Sequence, residues 1–250
     1  FEKGFELEIL EKIPSHVGLG SETQLRLGIS AGLFELFEEP YSVRELAQLA
    51  RRGGTSGIGV ASFEGGGFIL DGGHYFGKGR EKESYLPSRA SKTKPAPVLS
   101  RMNFPDWDVI LGILKAKKGL SGKEEIDFFI KNCPIPEKDV ERLSRIILMK
   151  LLPSVILKDL REFSEAVEMI KGVGFKKLEI LNQGEVVREL ISDWGKIGYG
   201  VSMSSFGPTV FGFSEDERVT LEMIKIFKEC YEGEVIKTRV RNEGARIERV

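Results

Sequence analysis

Apolar positions alternate in part with charged ones over Glu6–Ile13, where Leu7, Ile9 and Ile13 recur, and this predicts a strand that Pro14 ends. After the loop PSHVGLGSETQ, apolar residues recur at helical spacing from Leu25 to Phe37. A short helix is expected over Val43–Ala50 behind Ser42 as N-cap, stopping before the RRGG turn. A further short helix over 56–63, a glycine turn at 65–67 and a buried strand over Phe68–Leu70 follow. Strands are expected over Val98–Asn103 and Asp108–Leu114, on either side of a Phe104-Pro105-Asp106 corner. Beyond the corner helical periodicity dominates, over Lys123–Lys131, Glu137–Leu152, Lys158–Lys171 and Glu185–Trp194. Gly198–Met203 alternates weakly, and Val210–Phe213 reads as a strand. Ser214 is expected to cap a helix running through Cys230, and Glu234–Val240 reads as a closing strand. The order is mixed α and β without the strict βαβ alternation of a doubly wound sheet, and no internal repeat is visible.

Composition narrows the class. A chain of 250 residues, 41% apolar and 30% charged, is long enough for one large domain or two modest ones, each with a core. Its net charge of -1 lacks the basic excess of a protein that coats nucleic acid or anionic membrane, so any anion site must be local. Cys133 and Cys230 stand far apart with no CxxC partner, which fits a reducing, cytoplasmic setting without a disulfide framework or zinc site. The most apolar run, Ile146–Leu157, is cut by Lys150 and Pro153 and is too short to span a membrane. The opening FEKGFELEILEKIP is too charged for a signal peptide, and a start at Phe1 inside a strand-like run reads as a fragment.

Glycine carries the chemistry. Nine of the 24 residues of Arg51–His74 are Gly, roughly five times the usual share of about 7%, so this backbone bends sharply or admits a close neighbour. Thr55 and Ser56 add hydroxyls, Arg51 and Arg52 fixed positive charge, Asp71 a carboxylate and His74 an imidazole. These are the parts of a phosphate-handling site, although a helix, a turn and a strand packed on glycine would need the same pattern. A second loop, with Gly18, Gly20 and Ser21, lies between the first strand and helix, where backbone N–H groups face an anion. Ser21 reads as the N-cap. Glu22 at its mouth suits either Mg²⁺ or the helix dipole, and His16 either substrate or solvent. Residues 75–97 lack periodicity and carry Lys78, Arg80, Lys82, Arg89, Lys92 and Lys94, the composition of a lid over a phosphorylated substrate or of a solvated connection. Ser204 and Ser205 open a third small-residue loop.

The three loops, in this order, resemble the superfamily of galactokinase, homoserine kinase and mevalonate kinase. PSHVGLGS is similar to its phosphate loop, TSGI to its PSGxD segment, and GVSMSSFGPTVFG stands where its C-terminal glycine motif does. Gly59 occupies the place of the kinases' catalytic aspartate, and glycine neither takes a proton nor orients a hydroxyl. A narrower resemblance accommodates that departure. The segments GLGSETQL, RGGTSGIGVASFEGGGFILDGGH, SKTKPAP and SSFGPTVFGF look very like the beta-ribofuranosylaminobenzene 5'-phosphate synthases, a non-kinase branch of the superfamily.

That resemblance implies an α+β, two-lobed GHMP-kinase-like fold with the active site between the lobes, residues 1–103 forming the N-terminal lobe and 104–250 the C-terminal one. It implies decarboxylating condensation of 5-phosphoribosyl 1-diphosphate with 4-aminobenzoate or 4-hydroxybenzoate, early in methanopterin biosynthesis, with Mg²⁺ and a homodimer. It also implies that roughly the first quarter of the family's chain, with a Pro-Ser-Arg motif, stands outside this one. On this reading Gly18, Gly20, Ser21, Arg51, Lys92, Thr55, Ser56, Ser204 and Ser205 would bind phosphates and carboxylate. Lys94 would act from the lid, Asp71 would face the sugar or hold metal, and Glu22 would be a metal ligand. An ATP-dependent kinase and a non-catalytic sugar-phosphate or nucleotide binder are the alternatives.

Overall fold

The computed structural model describes residues 4–83, 85–86, 93–116, 119–120 and 122–248. The chain opens on extended backbone, then α1 (Ser21–Leu36), α2 (Val43–Leu49) and α3 (Ile58–Gly65) pack around Leu27, Ala31, Leu46, Ala47, Val60 and Phe63. α2 carries a complete capping box, in which the Ser42 hydroxyl accepts from Glu45 N and the Glu45 carboxylate accepts from Ser42 N. β1 (Phe68–Asp71) and β2 (Val98–Met102) form an antiparallel pair beside α3.

The larger sheet contains β3 (Asp108–Leu114), β4 (Tyr199–Met203), β5 (Thr209–Ser214) and β6 (Gly233–Thr238), in the order β4-β5-β3-β6 and antiparallel throughout. Helices cover both of its faces, which is why β3 is a continuous apolar run rather than an alternating one. One face packs Val109, Phe213, Phe104 and Trp107 against α5 (Glu137–Ile146), α6 (Leu152–Leu157) and α7 (Leu160–Lys171). The other packs Ile110, Val201 and Val210 against Trp194 of α9 (Glu185–Gly195) and Phe227 of α10 (Glu217–Cys230). Gly112 of β3 is required there, because a Cβ would stand 2.8 Å from the Phe227 ring and 2.9 Å from Trp194. α4 (Lys123–Asn132) and α8 (Gly174–Leu181) complete the helices. No helix among the described residues is long and apolar enough to cross a membrane.

The structure differs from the sequence expectations at several places. Residues 4–14 form no strand: they pair with no described neighbour, and Leu7, Ile9 and Leu10 lie exposed. α1 begins at Ser21 instead of Leu25, with Gly20 in the left-handed region as the N-cap; Ser21 is the first helical residue and not the cap. The helix expected to end at Leu152 runs on to Leu157 through a π turn at Ile147–Leu151. Pro153 has no N–H to offer the carbonyl four residues earlier, and the widened turn carries the helix past that gap. Finally, Asp216 caps α10 by accepting from Arg218 N at 2.7 Å, while Ser214 Oγ bonds the Asp216 backbone.

Candidate active site between the glycine loops

The loop 15–20 and the loop 204–207 lie against one another. Ser204 Oγ donates to Gly18 O at 2.8 Å, and Thr209 N donates to Val17 O at 3.3 Å. Gly18 is at φ 88°, and a Cβ there would fall 2.2 Å from Ser204 O, so glycine is what lets the loops meet. Beside this contact opens a cleft of about 910 Å³. Its lining includes Gly20, Glu22, Thr23 and Gln24 at the N-terminus of α1, which no side chain caps.

Of the residues expected to form the site, Gly18, Gly20, Glu22, Thr55, Ser56, Ser204 and Ser205 line this cleft. Several have structural duties. The Thr55 hydroxyl donates to Leu86 O and accepts from Lys82 Nζ at 3.4 Å. Lys82 also donates to Gly54 O at 2.8 Å, and burial pulls its pKa down. The described part of the expected lid thus sits on the 53–55 loop with Lys82 turned inward.

Ser21 instead lines a neighbouring groove between α1 and residues 7–13. Arg51 is exposed at φ 53° and does not line the cleft; Arg52 does, with Nε donating to Thr23 Oγ1 at 2.9 Å and Nη1 3.4 Å from Glu22 Oε2. Asp71 stands behind the 55–57 loop. Its carboxylate accepts from Gly57 N at 2.8 Å, Gly73 N at 3.1 Å and, at 3.5 Å, Ser56 Oγ. Lys94 is exposed outside the cleft, and its carbonyl accepts from His74 Nε2 at 2.8 Å, so that nitrogen carries the proton. Lys92 lies outside the described residues.

Glu22 pairs with Arg26 at 2.9 Å as well as with Arg52, and among the described residues no three His, Cys, Asp or Glu converge. Among the described residues Glu22 is thus held by two arginines rather than grouped with other metal donors.

Sequence reasoning missed the far wall. Phe129 of α4, Phe175 of α8 and Phe206 line the cleft, with Phe129 and Phe175 stacked at 5.0 Å and Phe175 and Phe206 edge to face at 5.9 Å. Lys176 and Glu179 of α8 line it too. Lys176 Nζ donates to Ser205 O at 3.2 Å, to Met203 O at 3.4 Å and to the Glu179 carboxylate. Glu179 is 7% exposed, and burial pushes its pKa up against the pull of Lys176. The available signal was the Lys-x-x-Glu spacing, hidden because Gly172 and Gly174 make the segment read as a loop.

The fold is that of the GHMP kinases, with the cleft beside the antiparallel sheet, between an uncapped helix N-terminus and a second small-residue loop. The GHMP kinases N terminal domain family matches residues 1–67. Crystal structures of homoserine kinase from Cytophaga hutchinsonii (TM-score 0.59, 18% identity, 94% of this chain and 69% of that one) and of L. major mevalonate kinase (0.61, 14%, 93% and 68%) share the architecture. The beta-ribofuranosylphenol 5'-phosphate synthase of Methanocaldococcus jannaschii is 42% identical over 247 residues, 98% of this chain and 74% of that protein. That of Archaeoglobus fulgidus is 42% identical over 249 residues, 98% and 77%. The chain belongs to the beta-ribofuranosylphenol 5'-phosphate synthase family, an enzyme family carried on the kinase fold.

Proposed function

We propose that this chain catalyses decarboxylating transfer of the 5-phosphoribosyl group from 5-phosphoribosyl 1-diphosphate to the ring carbon of 4-hydroxybenzoate or 4-aminobenzoate, releasing CO₂ and diphosphate, early in methanopterin biosynthesis. The relatives are named for a ribofuranosylphenol, which favours 4-hydroxybenzoate. The observation that carries the reading is a phosphate-type loop whose cleft has Gly59 where a kinase needs its carboxylate. A Cβ at Gly59 would meet the Thr23 methyl at 3.1 Å, so position 59 is closely packed, and the glycine there offers no base to an attacking alcohol.

The chemistry suits these residues. Loss of diphosphate builds positive charge on the sugar and negative charge on the leaving group. Backbone N–H groups at the start of α1 and the Arg52 guanidinium would stabilise the latter, with Mg²⁺ arriving on the diphosphate. Asp71 holds the 55–57 loop and acts as a positioning residue. No covalent nucleophile is needed, because the ring carbon attacks C1 itself. A cytoplasmic homodimer belongs to the same reading, and molar mass in solution tests the dimer.

The decisive experiment offers carboxyl-labelled 4-hydroxybenzoate and 4-aminobenzoate, each with 5-phosphoribosyl 1-diphosphate and Mg²⁺, and collects CO₂. Release that depends on the ribosyl donor is expected. ATP turnover with an alcohol and no CO₂ would return the chain to the kinases, and tight donor binding without turnover would make it a binding protein.

A further inference from the structure

The three phenylalanines and the buried carboxylate have no part in donor binding as described above. Phe129, Phe175 and Phe206 come from α4, α8 and the loop after β4, and together they give the cleft an aromatic wall. At its edge lies Glu179, almost wholly buried yet lining the cavity, and fixed by Lys176. Burying a carboxylate is costly unless its oxygens find donors, and Lys176 engages one of them. A second donor entering from the cavity would complete the set.

We infer that this wall is the arene subsite, with the ring packed on Phe129, Phe175 and Phe206 and its para hydroxyl or amino group donating to Glu179. The inference rests on the proposed reaction for its substrate class. The ring's orientation follows from charge. A carboxylate end would be repelled by Glu179, whereas an O–H or N–H is attracted. The carboxylate-bearing carbon then points back toward the glycine loop, where C1 of the ribosyl donor must lie.

Glu179 takes a proton in the reaction. As the ring carbon bonds to C1, the C1–oxygen bond to diphosphate breaks and the para O–H proton passes to Glu179, leaving a dienone. The ring–carboxylate bond then breaks, CO₂ leaves, its electron pair restores the aromatic ring, and Glu179 returns the proton. Atoms and protons balance without an added co-reactant. Burial raises the Glu179 pKa, which makes its carboxylate a stronger base toward the para O–H proton.

The test measures binding and turnover separately. Equilibrium dialysis of labelled 4-hydroxybenzoate, with inorganic diphosphate and Mg²⁺ in the donor site, reads the subsite without chemistry. Wild type is expected to bind it at least tenfold tighter than 4-methylbenzoate, which lacks the donor. Phe175→Ala should weaken arene binding about tenfold and leave KM for the ribosyl donor within twofold. Glu179→Gln keeps an acceptor, so it should change arene binding less than threefold, lower kcat about 10²-fold and flatten the acid limb of the kcat profile. Phe129→Leu gives a second reading of the wall should Phe175→Ala fold poorly. Equal binding of the two benzoates, or variants with wild-type arene binding and kcat, would overturn the subsite while leaving CO₂ release intact. Selective binding without CO₂ release from wild type would sink the proposed reaction and leave the subsite standing.

Discussion

Gly18 bears two constraints that no other residue type meets together. Its φ of 88° lies where L side chains are strained, and its missing Cβ is the space that Ser204 O occupies. Gly18→Ala should therefore cost at least about 2 kcal/mol, from left-handed strain of about 1–2 kcal/mol plus the clash. In a chain of this size that is a fall of roughly 4–8 °C in Tm, readable by calorimetry. An unchanged Tm would mean that the 15–20 and 204–207 loops do not pack as described. The adjacent arginines give a second prediction. Arg52 lines the cleft and bonds Thr23, whereas Arg51 is exposed, although the sequence motif offers both. Arg51→Ala should leave KM for the ribosyl donor within about twofold. Arg52→Lys, which loses the planar fork, should raise it about tenfold. The opposite ranking would move the phosphate site to the outer face of the turn.

At the scale of elements, Asp108 ties the start of β3 to β6 and α10. Burial alone would raise its pKa, but hydrogen bonds from Lys237 and Thr220, with Arg239 at 3.4 Å, outweigh that and hold it below the ordinary 3.8. A lowered folded pKa gives stability that is present above about 3.8 and is lost as pH falls through the folded value. Asp108→Asn should cost about 1.5–3 kcal/mol at pH 7 and flatten the loss of stability as pH falls below about 4. Acid titration of the urea midpoint checks both. The elements legible in sequence were those whose signal is local. Ser42 and Glu45 announce α2, and the apolar run of β3 announces a strand buried on both faces. Residues 4–14 carry strand-like alternation, but a strand also needs a partner, which alternation cannot supply. α8 was illegible because Gly174 takes φ 55° at its start. With it went Phe175, Lys176 and Glu179, so the glycine side of the cleft could be read from the sequence and the aromatic side could not.

Across the whole molecule, the cleft draws one wall from residues 16–62 and the other from 120–206, joined by contacts such as the hydrogen bond from the Ser204 hydroxyl to Gly18 O. Sequence-distant walls exist only in the folded chain, so a ligand that spans them binds the native state and not the unfolded one. Mass action then sets its effect: at 100 times its Kd a single-site ligand adds about 2.7 kcal/mol, or roughly 5–11 °C in Tm at this size. Mg²⁺ with 5-phosphoribosyl 1-diphosphate is expected to produce that rise in the wild-type chain, and ATP with Mg²⁺ to produce a much smaller one. Arg52→Lys should need about tenfold more donor for the same shift, whereas Glu179→Gln should need no more than wild type, because the arene side does not hold the diphosphate. A larger shift with ATP than with the ribosyl donor would count against the transferase reading even before any product is sought. The packing around Gly59 fits the proposal that this chain does not transfer phosphate: Gln24 Nε2 donates to Gly59 O at 2.8 Å, and a Cβ at 59 would meet the Thr23 methyl at 3.1 Å. Substituting Asp at 59 would therefore disturb the α1–α3 contact, and ATP turnover should not appear with it.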